Sequence, residues 1–160
     1  MTEECNLDEV KKEYSKFKDK YNLPSFDEVN EVFEIEDIDT ETDFFLRRIR
    51  RLILDKVVGY MRFIEIMLNP SNATIFFFKL TSKLEKSDKE ALTEMYERIG
   101  KFEIDAIKID LDYSEEKEAE LIKDMFNIFK TEIKEKLLPV IYKLENGKEE
   151  KKKDDSGYFG

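Results

Sequence analysis

Apolar residues recur every three or four positions along almost the whole chain, and that spacing is compatible with one kind of regular structure. Side chains three and four apart lie on one face of an α-helix, whereas a half-buried strand alternates. Leu7, Val10, Tyr14, Phe17 and Tyr21 form a first stripe. Phe26, Val29 and Phe33 form a second. Phe45, Ile49, Leu52, Ile53, Val57, Tyr60, Ile64 and Met67 form a third, which predicts a long helix over 41–68 as the spine of the fold. Leu92, Met95, Ile99, Phe102, Ala106 and Ile109 follow, and then Ala119, Ile122, Phe126, Phe129, Ile133, Leu137, Val140 and Leu144.

The punctuation agrees with this reading. Five glycines and three prolines in 160 residues are too few for many strands and tight turns. Ser or Asn followed three positions later by Glu marks helix starts at Asn6, Ser25 and Ser87, with a weaker one at Thr40. Ser114 caps the last long helix, whose first turn carries Glu115 and Glu116. Pro24 and Pro70 stop helices, and Pro139 is expected to kink one. Ile75-Phe76-Phe77-Phe78-Lys79-Leu80 has strand-like composition. No second convincing strand is available to pair with it, so a buried helix is expected there. Since each helix has one apolar face, the economical solution is an all-α bundle of five to six helices. We expect a single domain over 1–145 and a disordered, charged tail over 146–160.

Charge and missing residue types narrow the function. The chain carries 38 acidic and 28 basic residues, a formal charge of −10 that repels phosphate backbones on average. It has no histidine, the usual acid–base group near neutral pH and the commonest metal ligand. The lone cysteine, Cys5, has no partner for an intramolecular disulfide. No apolar run approaches the roughly 18 residues needed to span a bilayer. A cytoplasmic protein without cofactor or membrane attachment is the expectation.

Candidate chemistry is thin. Asp110-Leu111-Asp112-Tyr113-Ser114 resembles the start of a calcium loop, but Glu115 stands where the sharp turn needs Gly, and Leu121 where a bidentate Glu belongs. The residues 34–43 form an acidic connector best read as a solvated loop. Glu28/Glu31 and Glu94/Glu97 supply half of a magnesium-binding carboxylate arrangement, with no second half following. Glycines are scattered, so there is no phosphate-cradling loop.

The most distinctive cluster is Arg47, Arg48, Arg50 and Arg51, with Arg62 farther along. These arginines are either paired in place, for which Asp43–Arg47 and Arg51–Asp55 have the right spacing, or form a basic groove for an acidic partner or nucleic acid. Tyr158 and Phe159, after a charged spacer, are a candidate docking tail. The leading expectation is a protein-interaction or scaffold module, with a protein partner or self-association and no catalytic site. A nucleic-acid factor using the arginines is the alternative, and a carboxylate/divalent-metal enzyme a more remote one.

Overall fold

The computed structural model describes the backbone of residues 2–155 and the side chains of residues 6–146 other than Asn72. Among the described residues the fold is all-helical, without a strand. The helices are α1 (Thr2–Tyr21), α2 (Phe26–Phe33), α3 (Phe45–Leu68), α4 (Ile75–Thr81), α5 (Lys86–Leu111), α6 (Glu115–Ile128) and α7 (Leu138–Asp155). Short 3₁₀ turns occupy Ile35–Asp37 and Pro70–Asn72. A π-helical stretch, Phe129–Leu137, joins α6 to α7 without a break. The expected tail falls, from 147 on, where no side chain is described, and Tyr158 and Phe159 lie outside the described residues, as does the side chain of Cys5.

The chain divides into two compact units. The first comprises residues 1–59 and 100–128, the second 60–99 and 129–160. In the first, Val10 and Tyr14 of α1, Val29 and Phe33 of α2, Ile49 and Ile53 of α3, Ala106 of α5 and Ile122 of α6 are buried together. The Tyr14 hydroxyl, inside this core, donates to the carbonyl of Pro24 at 2.7 Å, so the only polar atom of the ring is satisfied. In the second unit Ile64, Met67, Leu92, Met95, Ile99, Ile133, Leu137, Val140 and Leu144 form the core. Its margins are tied by an Arg98–Glu132 ion pair and by Lys143, which reaches Asp88 at 2.9 Å.

Local signals explain most boundaries. Ser25 caps α2 with both halves of a capping box: its hydroxyl accepts from the Glu28 amide, and the Glu28 carboxylate accepts from the Ser25 amide. Asn22 ends α1 in the left-handed region at φ 54°, a conformation Asn tolerates better than most residues. Ser114 accepts from the Lys117 amide at the start of α6.

Several expectations shift. α1 begins at Thr2, four residues before the anticipated cap at Asn6. α3 begins at Phe45 rather than 41. α5 begins at Lys86, and Asp88 instead of Glu90 reaches back, accepting from the Glu85 amide. The acidic connector is not wholly solvated, because Ile35 and Ile38 are buried and pin it to the first unit. Helical structure passes through Pro139, preceded by the wider π turns. Proline has no amide hydrogen for the carbonyl four residues back and its ring crowds that carbonyl, so an altered register just before it is the local response.

The largest departure is α4. It is a helix, as expected, but not a buried one: Ile75 is 76% exposed, Phe76 52% and Phe78 58%. With only seven residues it has barely two turns to bring a side chain to the core, and Thr81 alone is buried.

The core assignment has a direct consequence. Ile53→Ala, at a fully buried position, should lower unfolding free energy by about 2–5 kcal/mol in urea. Leu111→Ala, on the outer face of α5, should change it by less than about 0.5 kcal/mol.

Candidate functional site

The arginine cluster on α3 is the centre of a densely charged site in the first unit, and its geometry follows from which face each arginine occupies. Arg50 is four residues after Leu46, three before Ile53 and seven before Val57, all buried, so the helix carries its guanidinium into the interior, where it is 1% exposed. Glu118 stands four residues before Ile122 and seven before Met125 on α6, both buried, and is 0% exposed. The two meet in a two-pronged arrangement: Arg50 Nε donates to Glu118 Oε2 at 2.7 Å, and a terminal nitrogen donates to Oε1 at 3.1 Å. That nitrogen also donates to Asp110 Oδ1 at 2.5 Å.

Arg47 completes the cage. Its Nε donates to Glu118 Oε1 at 3.3 Å, and a terminal nitrogen to the Ile109 carbonyl at 3.2 Å. The guanidinium lies 5.1 Å from the Phe44 ring centroid and 4.9 Å from that of Tyr113, rings that are themselves packed edge to face at 4.7 Å. Arg51, more exposed, contributes a 3.4 Å contact to Asp110. Of the five arginines, then, three converge on Asp110 and Glu118. Arg48 is exposed and, with Arg47 and Arg51, lines a shallow cleft of about 550 Å³ whose wall also carries Asp37, Asp39, Thr42 and Phe44. Arg62 belongs to the second unit and makes no ion pair among the described residues.

The partners are not the local ones. Among the described residues neither Asp43 nor Asp55 forms an ion pair, and the carboxylates come from α5 and α6, some 60 to 70 residues on. The Asp110-to-Ser114 stretch, rejected as a calcium loop, supplies the aspartate, the Tyr113 ring and the cap of the helix that carries Glu118. A charged residue in register with an apolar stripe was the available signal for both Arg50 and Glu118.

The chemistry open to this site is limited. Arginine does not give up its proton at accessible pH, and each Glu118 oxygen already accepts a charged donor. Burial pushes the Asp110 carboxyl up, but the Arg50 hydrogen bond and the charges of Arg50 and Arg51 outweigh it and hold the group below its ordinary range. A base so encumbered is poor, and the arrangement is that of a clamp between helices. Among the described residues no group of three potential ligands is placed to hold a metal ion, and no helix is long and apolar enough to cross a membrane.

Two measurements test the clamp. Arg50→Met leaves Glu118 buried with one weak partner and should cost about 3 kcal/mol or more in urea unfolding. Arg50→Met/Glu118→Leu should cost much less than the sum of its single changes, because two neutral side chains carry no desolvation penalty. Acid should act on the same contacts. Among the described residues, three carboxyls lie below their ordinary values. Asp110 and Asp88 are there through Arg50 and Lys143 acting against burial, and Glu115 through hydrogen bonds from Lys20 and Tyr21. A depressed folded-state pKa contributes stability that is whole above the unfolded value and lost as pH falls through the folded one. The melting temperature should therefore hold near neutrality and fall as pH drops below the ordinary carboxylate values of 3.8 and 4.5, with a smaller fall in Asp110→Asn. No family model matches this chain, and neither does any curated protein or solved structure.

Proposed function

We propose that this protein is a non-catalytic interaction module that engages another polypeptide through α4. The observation that carries the reading is the outward display of Ile75, Phe76 and Phe78 on one short helix. Scattered exposed apolar residues are ordinary, but three bulky ones within four positions form a contiguous patch of the kind that partners cover. Aromatic side chains give the largest contact area per immobilised bond, and they dominate the energetics of measured interfaces. Phe76 stands edge to face against the half-buried Phe77, with ring centroids 5.5 Å apart.

The arginine cluster supports this reading by what it gives up. Arg47, Arg50 and Arg51 are engaged with carboxylates, which leaves Arg48 and Arg62 as the members of the cluster without an ion pair among the described residues. Arg47, Arg48 and Arg51 line one cleft, but Glu118 and Asp110 already engage Arg47 and Arg51, and Asp37 and Asp39 on the same wall oppose an incoming phosphate. A nucleic-acid role for the cluster therefore has little positive charge to work with.

A photo-crosslinking residue placed at position 78 in cells should trap a second polypeptide, or a second copy of this chain. The same residue at position 94, on the solvent face of α5, should trap far less. Phe76→Ser/Phe78→Ser should remove an adduct formed from position 75 and leave the melting temperature unchanged. Equal adduct yields from positions 78 and 94 would defeat the proposal.

A further inference from the structure

We infer that the segment received by α4 is acidic as well as apolar: a stretch of polypeptide in which Asp or Glu stands beside a bulky apolar side chain. This rests on the interaction reading above and adds the partner's chemistry. Three observations point to it.

The first is a surplus of positive charge around the patch. Lys79 lies on α4 itself, and Lys83 and Lys89 follow within eleven residues of Phe78. None of the three makes an ion pair among the described residues. The nearby carboxylates do not compensate them, because Lys143 takes both Glu85, at 3.5 Å, and Asp88, at 2.9 Å. The second observation is that this neighbourhood differs from the rest of the chain. The first unit carries 25 acidic and 14 basic residues, a net −11, and the second 13 and 14, a net +1, so the negative charge of the chain belongs to the unit without α4.

The third is a seat of matching form. Met67, Leu68 and Phe78 line a cleft of about 180 Å³, with Lys89 also on its wall. One bulky side chain can enter between the apolar residues while a carboxylate on its neighbour reaches the Lys89 ammonium. An anionic bilayer offers the same combination of charge and grease, but the geometry favours a polypeptide. A concave seat for one side chain gains little from a layer of acyl chains. An extended lipid surface would also meet the full negative charge of the chain, whereas a short segment responds mainly to lysines within a screening length of roughly 8–10 Å.

The test uses the full chain and a phage-displayed library of random peptides, counter-selected against Ile75→Ser/Phe76→Ser/Phe78→Ser. Peptides that depend on α4 should be enriched in Asp or Glu next to Leu, Ile, Phe or Trp. A synthetic copy of such a peptide should bind Lys79→Glu/Lys83→Glu/Lys89→Glu at least about tenfold more weakly, and should lose affinity as salt is raised. These three lysines are surface groups, so that variant keeps the test valid even if the apolar variant folds poorly. Neutral or basic peptides selected at α4 would overturn this inference and leave the interaction reading standing. A library yielding no α4-dependent peptide would overturn both. Sedimentation of the full chain, and not of the apolar variant, with phosphatidylserine-containing vesicles would assign the surface to a bilayer and overturn the inference.

Discussion

The fold of the first unit turns on one buried ion pair. Arg50 and Glu118 have left water almost completely, and neither could do so alone, because an isolated charge in a protein interior carries a penalty of several kcal/mol. Their helices must therefore approach in the one rotation and register that lets the guanidinium fork meet both carboxylate oxygens. Apolar packing rewards many rotations of α3 against α6 nearly equally, while a forked contact rewards very few. Arg47 adds a second constraint, since its guanidinium is held between the Phe44 and Tyr113 rings as well as against Glu118. The end of α5 and the turn to Ser114 are fixed by the same contacts, because Asp110 supplies an anion to the pair and Ser114 a cap to the helix bearing the buried glutamate.

Much of this was legible in the sequence, for a physical reason. Helical periodicity records which residues must avoid water, and the stripe from Leu92 to Ile109 is buried at each of its six positions. The stripe on α3 holds at Phe45, Ile49, Ile53, Val57, Ile64 and Met67, with Leu52 and Tyr60 only half-covered at its edge. The capping box at Ser25 and the cap at Ser114 were equally readable, since a cap is satisfied within four residues. The burial of Arg50 was half-visible, as a cation in line with Leu46 and Ile53. Its identity as a clamp needed a partner 68 residues away, and local spacing favours the nearer Asp43 and Asp55 instead. Long-range pairing is set by how helices pack, which no window of one sequence contains.

The segment around Phe76–Phe78 shows the complementary limit. Its composition argues for burial, but the helix it forms, begun after Pro70 and ended at Thr81, is too short to reach a core. Composition states what a side chain prefers, and chain geometry decides whether the preference can be met within one molecule. Where the two disagree, the unmet preference remains on the surface, and here it lies beside lysines whose local carboxylates are already taken.

The π-helical stretch between α6 and α7 has a further consequence. Hydrogen bonds closing over five residues rather than four store an additional residue in each turn, and Ile133 and Leu137 still face inward across it. Loss of one residue between 129 and 137 could be absorbed by tightening a turn, which would leave Val140 and Leu144 on their original side. A comparable loss in the middle of α5 would swing everything beyond it by about 100°, taking Phe102, Ala106 and Ile109 away from the interior. Length variation in this chain is therefore better tolerated within Phe129–Leu137 than within α5.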